Sequence, residues 1–211
     1  MLPGFMNNMM KGGKSVPVIT QVTQPSTATT AASTFTFSSV AFGPEYVGRR
    51  LAVRVFGYDG TAATSAQVTA MSIGGVLVDP ADLRYFQNSV SGRRTVAGVG
   101  SIILPTGTSG TISVTFSRSM PRCTVRLVAI QGGEVIRASG GDGVSGSVTT
   151  LGRTMDEAEP ALSLFATSFA ANTTAAWSNA DVGSTANILT GMYSFAERGS
   201  LLTPDPAVSV T

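Results

Sequence analysis

The chain has 211 residues, which suits one domain with a core of ordinary size, or one such domain with an arm. Only 12% of the residues are charged and the net charge is +2, with no Lys/Arg cluster longer than a pair, so direct nucleic-acid binding is not expected. The absence of histidine and the single cysteine exclude Ser-His-Asp and Cys-His catalysis, cysteine metal cages and an intrachain disulfide. We therefore expect a protein that is not an enzyme and that uses no cofactor or metal.

The small share of charged residues also indicates that the protein has protein partners. A surface with so few charges is unusual for a free cytosolic monomer, and it is easier to explain if much of it is covered in an assembly. We therefore expect a homo-oligomer that contacts other proteins. No apolar run reaches the roughly 18 residues that cross a bilayer. The amino end also lacks the basic start and the A-x-A pattern of a signal peptide, so membrane insertion is not expected.

Residues 1–14, MLPGFMNNMMKGGK, are interpreted as an amino-terminal arm, and residues 15–211 as a single folded domain. The arm is rich in apolar side chains, which are costly to leave in water, and methionine adapts to irregular grooves. The alternative is a terminus that docks on nothing, which is a common fate of chain ends. The partner-anchoring residues that we predict are Leu2, Phe5, Met6, Met9 and Met10.

Much of the chain shows the two-residue period of β-strands. An edge strand is predicted over 16–22, because Pro17 lies near its start. Residues 23–33 are a Thr/Ser/Ala-rich loop, and a strand over 33–42 follows, with Phe35 and Phe37 on the face shared by Ser33 and Ser39. Further strands are predicted over 50–58, 68–78 (two short strands about Gly74-Gly75), 95–104 and 111–116, with one helical turn at 80–83 and a connection at 117–121.

The segment 121–133, PRCTVRLVAIQGG, predicts the central strand. Val125, Leu127 and Ala129 alternate with Thr124, Arg126, Val128 and Ile130, and a glycine pair closes the run. Because apolar groups occupy both faces, both faces must be covered by a second sheet or by a neighbouring subunit.

The last third of the chain predicts fewer regular elements. The glycine-rich segment 136–146 is interpreted as an extended loop, since it lacks the lysine and the strand–helix context of a phosphate-binding loop. Late strands are predicted over 161–170 and 186–195, and the segment 201–211 ends in a strand-like VSV after two prolines. No segment has a helical stripe, so the fold class is all-β, an antiparallel β-sandwich with jelly-roll-like connections and an extended amino-terminal arm.

Two groups of residues raise alternatives from other functional classes. Asp156, Glu157 and Glu159 form an acidic cluster that could support glycoside hydrolysis, although so short a stretch ending in proline is more often a solvated turn. Trp177 and Tyr193, together with Tyr58 and Tyr85, could stack on sugar rings if they are exposed, although aromatic residues at strand ends are more often part of a core. Saccharide binding at Trp177 and Tyr193 is the site hypothesis that follows.

The order of several motifs resembles a family. MLPGF is followed by TFTFSSVAFG, GRRLAVRVFGYDG, VTAMSIGG, ILPTGTSGTISVTFS and MPRCTVRLVAIQGG. Over residues 1–135 this pattern is similar to small structural proteins of tailed bacteriophages and of phage-like particles of alphaproteobacteria. The resemblance implies a β-sandwich component of the virion without enzymatic activity, and it assigns no functional residue.

The expected function is therefore that of a structural component on the virion surface, anchored by its arm in capsid or tail subunits. Its position could be a head decoration or spike base, or a tail, collar or fibre component. The alternative is a carbohydrate-binding module for adhesion to host surface polysaccharide.

Overall fold

A computed structural model of the chain describes residues 18–22, 26–59, 66–90, 93–131, 137–139, 151–153, 161–168, 177–178, 182–188, 191–199 and 208–210. This part of the chain is almost entirely β, which confirms the predicted fold class. In chain order the strands are β1 (Val18–Gln21), β2 (Ser26–Ala28), β3 (Ala32–Ala41), β4 (Arg50–Asp59), β5 (Val68–Ile73), β6 (Val76–Leu77), β7 (Leu83–Val90), β8 (Arg93–Ile103), β9 (Ser109–Met120), β10 (Arg122–Gln131), β11 (Arg137–Ser139), β12 (Leu151–Arg153), β13 (Ala161–Ser168), β14 (Trp177–Ser178), β15 (Val182–Ile188), β16 (Gly191–Gly199) and β17 (Val208–Val210).

Two antiparallel sheets form a sandwich. The central sheet has the order β1-β10-β4-β8-β7, and β2 pairs with β10 on the same side as β1. The outer sheet has the order β3-β9-β5-β6. The chain crosses from one sheet to the other after β2, β3, β4, β6, β8 and β9, so most hydrogen-bonded neighbours are distant in sequence.

Side chains from the facing surfaces of the two sheets form one apolar core. On β10, Val125 and Leu127 lie opposite Val55 and Val53 of β4, and all four are fully buried. Inward side chains of the outer sheet meet them, which brings both sheets into one cluster. The prediction that alternate residues of β10 share a buried face is therefore confirmed. The inward side chains of β3 and β9 are Phe35, Phe37, Ile112, Val114 and Phe116.

The opposite face of the central sheet is covered as well. Thr124, Arg126, Val128 and Ile130 of β10 are all buried on this side. A third sheet, with the order β11-β13-β16-β15, lies against the central sheet, since Cα atoms of β13 and β8, and of β16 and β1, approach within 8 Å. The remaining strands form a fourth sheet, β12-β17-β14. The requirement that the central strand be covered on both faces is thus met within the chain.

Some predicted boundaries are wrong. The predicted loop at 23–33 contains β2, whose Thr27 hydroxyl bonds to the Thr124 hydroxyl at 3.0 Å. The predicted connection at 117–121 is mostly the end of β9, because Met120 continues the alternation into the core. The predicted strand at 186–195 is a hairpin of β15 and β16, in which Ile188 and Gly191 are paired. Strand β7 was not predicted.

Local backbone geometry explains two further outcomes. Gly74 and Gly75 have φ angles of 61° and 83°, which favour glycine, and they join β5 to β6 as predicted. Ser39 has a φ of 55° beside a register shift between β3 and β9. Ser33 and Ser39 are exposed, so the prediction that they share the buried face of the β3 phenylalanines is wrong. The predicted helical turn is a 3-10 turn over Pro80–Asp82.

Two parts of the sequence-based interpretation stay predictions. The jelly-roll connections are one of them. The amino-terminal arm over 1–14 is the other, because it lies outside the described residues.

Candidate functional site

The residues predicted to form sites are mostly outside the described part of the chain. This applies to all five anchoring residues of the arm and to Asp156, Glu157 and Glu159. For Trp177 and Tyr193 the structure gives strand positions. Trp177 lies on β14 of the fourth sheet, paired with Val210, whereas Tyr193 lies on β16 of the third sheet. The two predicted saccharide-binding residues therefore belong to different sheets.

The other two tyrosines named with them differ in exposure. Tyr58 is only 7% exposed and belongs to the core, so it offers no ring for a sugar. Tyr85, on edge strand β7, is 43% exposed. Tyr85 is thus an aromatic side chain in the described part of the chain that a saccharide could reach.

The single cysteine lies in the core. Cys123 is fully buried at the start of β10, and desolvation raises the pKa of its thiol. A buried thiol with a raised pKa is a poor nucleophile. Cys123 therefore packs as a small apolar residue of the core.

The described residues offer neither a cluster of metal ligands nor a membrane-spanning helix. None of those residues forms a group of three His, Cys, Asp or Glu side chains that could hold a metal ion. None of the described residues belongs to a helix long and apolar enough to cross a membrane.

The most elaborate polar arrangement surrounds Arg49, just before β4. Its side chain is fully buried. Nε donates to the carbonyl of Leu104 at 2.7 Å, and Nη2 donates to the carbonyls of Thr106 and Gly107 at 2.8 and 2.7 Å. Nη1 donates to the carbonyls of residues 42–44, with the shortest bond, 2.9 Å, to Pro44. One guanidinium thus joins the loop after β3 to the loop after β8.

Neighbours of Arg49 reinforce this junction. A carboxylate oxygen of Glu45 accepts a hydrogen bond from the backbone N–H of Gly107. Desolvation raises the pKa of Tyr46, and the positive charge of Arg49 acts in the opposite direction. Because every N–H-bearing nitrogen of the Arg49 side chain already donates to backbone carbonyls, this cation holds two loops together and has no donor left for an anionic ligand.

Arg54 and Arg126 occupy the covered face of the central sheet. They lie directly opposite each other on β4 and β10, and both are fully buried. Buried charges are stable only where polar groups compensate them. Since neither guanidinium reaches the surface, these residues serve contacts within the chain rather than recognition of an external anion.

The outward side of the outer sheet is the most distinctive exposed surface. Strand β9 carries Ser or Thr at every second position from Ser109 to Ser119. Pairing places Thr36, Ser113 and Ser72 in one row across three strands. We call this surface the hydroxyl face; its residues are Thr34, Thr36, Ser72, Thr111, Ser113, Thr115, Ser117 and Leu77.

The hydroxyl face carries no formal charge among the described residues. The charged residue in the described strands of the outer sheet, Arg118, bonds instead to Asp59 of the central sheet at 2.8 Å. On the face itself, the hydroxyls of Thr34 and Thr115 bond to each other at 3.1 Å. Leu77 extends the row of Ser72 and is 67% exposed.

Comparison of this chain with known family models, characterised proteins and solved structures found no match.

Proposed function

We propose that this protein is a non-enzymatic structural component of a tailed phage or phage-like particle, displayed on the virion surface and anchored by its amino-terminal arm. The observation that carries the proposal is the hydroxyl face, an exposed sheet surface without charge in a chain that has few charges overall. A free monomer normally keeps charges on such a surface to remain soluble. A subunit that meets neighbours there has no such need.

The fold supports this role. The strand orders of the central and outer sheets, with successive crossings between them, agree with a jelly roll of two four-stranded sheets in which β7 and β8 together take one position. Jelly rolls are recurrent building blocks of viral particles. A sandwich whose central sheet is buried on both faces is also a rigid unit, which suits a scaffold.

Several buried polar groups have structural roles, which supports the proposal. Arg49 joins two loops, Arg54 and Arg126 are buried, and Asp59 is bound to Arg118. The resemblance of residues 1–135 to phage structural proteins points to the same role. Head decoration or spike base, and tail, collar or fibre component, are the two positions that fit it.

The proposal is tested by locating the protein in purified particles. Peptide mass spectrometry of gradient-purified particles should find the chain at a fixed ratio to the major capsid or tail subunit. An electron-microscopy map should then show the sandwich at regular positions on the surface. Absence of the chain from purified wild-type particles would overturn the proposal.

Carbohydrate binding for host adhesion is the alternative function, and the exposed ring of Tyr85 is the observation that favours it. A glycan array of bacterial surface polysaccharides tests it, with Tyr85→Ala as the variant that should lose retention. The same samples test for hydrolysis.

Hydrolysis would show as cleavage of a polysaccharide by the wild-type protein. If that cleavage disappears in a variant that combines Asp156→Asn, Glu157→Gln and Glu159→Gln, the protein is an enzyme.

A further inference from the structure

We infer that the hydroxyl face is a contact surface for a second copy of this chain. The inference rests on the proposed structural role and adds to it the surface and the partner. Its occupant follows from three properties of the face, which are its neutrality, its hydrogen-bonding groups and the state of the neighbouring edges.

Neutrality makes the face compatible with a copy of itself. A two-fold contact brings identical patches together, so any uncompensated charge would meet a like charge. The described strands of the outer sheet place no charge on this side, because Arg118 is directed to Asp59. Two copies therefore meet here without electrostatic repulsion.

Hydroxyl groups make the face self-complementary. A hydroxyl donates and accepts hydrogen bonds, whereas a lysine or arginine only donates and a carboxylate only accepts. The bond between Thr34 and Thr115 shows the pairing that two such groups make. Leu77, exposed in the same row as Ser72, adds apolar area that a copy would bury.

The edges of the outer sheet favour contact through its face. The register shift at Ser39 interrupts edge strand β3, and β6 is only two residues long. Bulges and very short edge strands prevent strand-to-strand growth of a sheet. A saccharide is a poorer occupant, because no described aromatic side chain projects from this face for a sugar to stack on.

The size of the face sets the strength of the contact. The face spans three strands about 4.8 Å apart, and each strand contributes about eight residues that rise about 3.4 Å each. The area of the face is therefore roughly 400 Å². A stable dimer usually buries about 800 Å² on each partner. Isolated copies should therefore associate weakly and transiently, and many copies held in one particle should associate strongly.

Disulfide trapping is suited to a weak contact, because the covalent bond retains each dimer once it has formed. The native cysteine does not interfere. Cys123 is buried, so a cysteine introduced on the surface is the reactive one. We suggest Thr36→Cys, Ser113→Cys and Thr115→Cys, oxidised separately and as pairwise mixtures of the full-length protein. Ala81→Cys is the matched control, since Ala81 is exposed on the 3-10 turn, which lies beside β7 and β8 of the central sheet.

At least one face variant or mixture should form disulfide dimer about tenfold faster than the control, because a contact raises the effective thiol concentration from micromolar towards millimolar. Where the reactive cysteine is Ser113→Cys or Thr115→Cys, Thr36→Glu in the same chain should return the rate to that of the control. Where it is Thr36→Cys, the paired substitution Ser113→Glu should do the same. Dimer formation no faster than Ala81→Cys in every combination would overturn the inference. So would retention on a polysaccharide column that Thr36→Glu abolishes, which would assign the face to a saccharide.

This experiment separates the inference from the proposed function. If the chain is found in purified particles while its face variants cross-link no faster than the control, the structural role stands and the inference fails. If face dimers form while the chain is missing from the particles, the inference stands and the proposed function fails.

Discussion

Arg49 and Leu104 exchange two hydrogen bonds. The Nε of Arg49 donates to the carbonyl of Leu104 at 2.7 Å, and the backbone N–H of Leu104 donates to the carbonyl of Arg49 at 2.9 Å. The same guanidinium also reaches carbonyls of residues 42–44 and 106–107. The geometry of one end of the sandwich therefore depends on a single side chain.

Replacing Arg49 with methionine should destabilise the protein strongly. The variant loses several hydrogen bonds to a charged donor, each of which contributes about 1.5–3 kcal/mol, and it leaves loop carbonyls without their partner. We expect the free energy of unfolding in urea to fall by roughly 3–5 kcal/mol. Arg49→Lys should recover only part of this loss, because one ammonium group cannot serve carbonyls on both loops.

Arg50 provides the matched control for this experiment. It is the next residue in the chain, and Nη1 of its half-buried side chain donates to the Ser101 hydroxyl at 3.0 Å. Arg50→Lys should cost less than about 1 kcal/mol. Equal losses for the two lysine variants would contradict the role assigned to Arg49.

Leu127→Ala tests the core. Leu127 is fully buried between the two sheets, so its truncation should reduce the free energy of unfolding by roughly 2–5 kcal/mol. Chemical denaturation of both proteins measures the difference. A loss below about 0.5 kcal/mol, as for an ordinary surface change, would show that β10 does not lie between the sheets.

The sequence allowed β10 to be predicted well, and the structure shows why. Its alternation is regular, most of its side chains are β-branched or apolar, and both faces are buried, so local preference and tertiary environment agree at most positions. Strand β9 was predicted too short because Ser117, Arg118 and Ser119 resemble a polar connection. Their place in the strand depends on Asp59 and on the core contact of Met120, which lie on or against other strands.

The Arg49 junction and the hydroxyl face could not be predicted from the sequence, because both depend on residues that are distant in the chain. The acceptors for Arg49 are backbone carbonyls, which have no sequence signature, and those in the second loop lie 55–58 residues away. The alternation of serine and threonine in β9 was visible, but a face exists only when β3 and β5 lie beside it in register. Prediction of the face would therefore have required the order and register of the strands in the outer sheet.

Gly57→Ala should destabilise the sandwich by overpacking. An added Cβ at Gly57 would lie 2.9 Å from ring atoms of Phe116 and 3.0 Å from the terminal methyl of Met120. Inserting a methyl group into such a core costs about 1–3 kcal/mol. Phe116→Leu should relieve the clash, so the double variant should lose less stability than the sum of the two single variants. Strictly additive losses in denaturation experiments would contradict the predicted contact.

Cys123 should react with thiol reagents only when the protein unfolds. Burial raises the pKa of its thiol above the ordinary value of 9.0, so the folded thiol stays protonated where the unfolded thiol ionises. This contribution to stability is complete below pH 9.0 and declines as the pH rises above it, because the unfolded state then releases a proton that the folded state retains. Cys123→Ala should lack this part of the alkaline slope in denaturation curves. Rapid labelling of native wild type at neutral pH would contradict it.

Deleting residues 1–12 should separate folding from assembly. The segment before Gly12-Gly13 carries Leu2, Phe5 and three further methionines besides Met1, and their burial in a neighbouring subunit would contribute about 25 cal/mol for each Å² of apolar surface removed from water. The described part of the sandwich core is built from residues 22–129, so the melting temperature of the truncated protein should be nearly unchanged. Incorporation into particles should be lost.

A full-length variant with Leu2, Phe5, Met6, Met9 and Met10 replaced by serine is the matched control, because it keeps the length of the arm and removes the side chains that are predicted to anchor it. Normal incorporation of the truncated protein would contradict anchoring by the arm. Loss of incorporation in the truncated protein, with normal incorporation of the serine variant, would show that the particle requires the length of the arm rather than the burial of its apolar side chains.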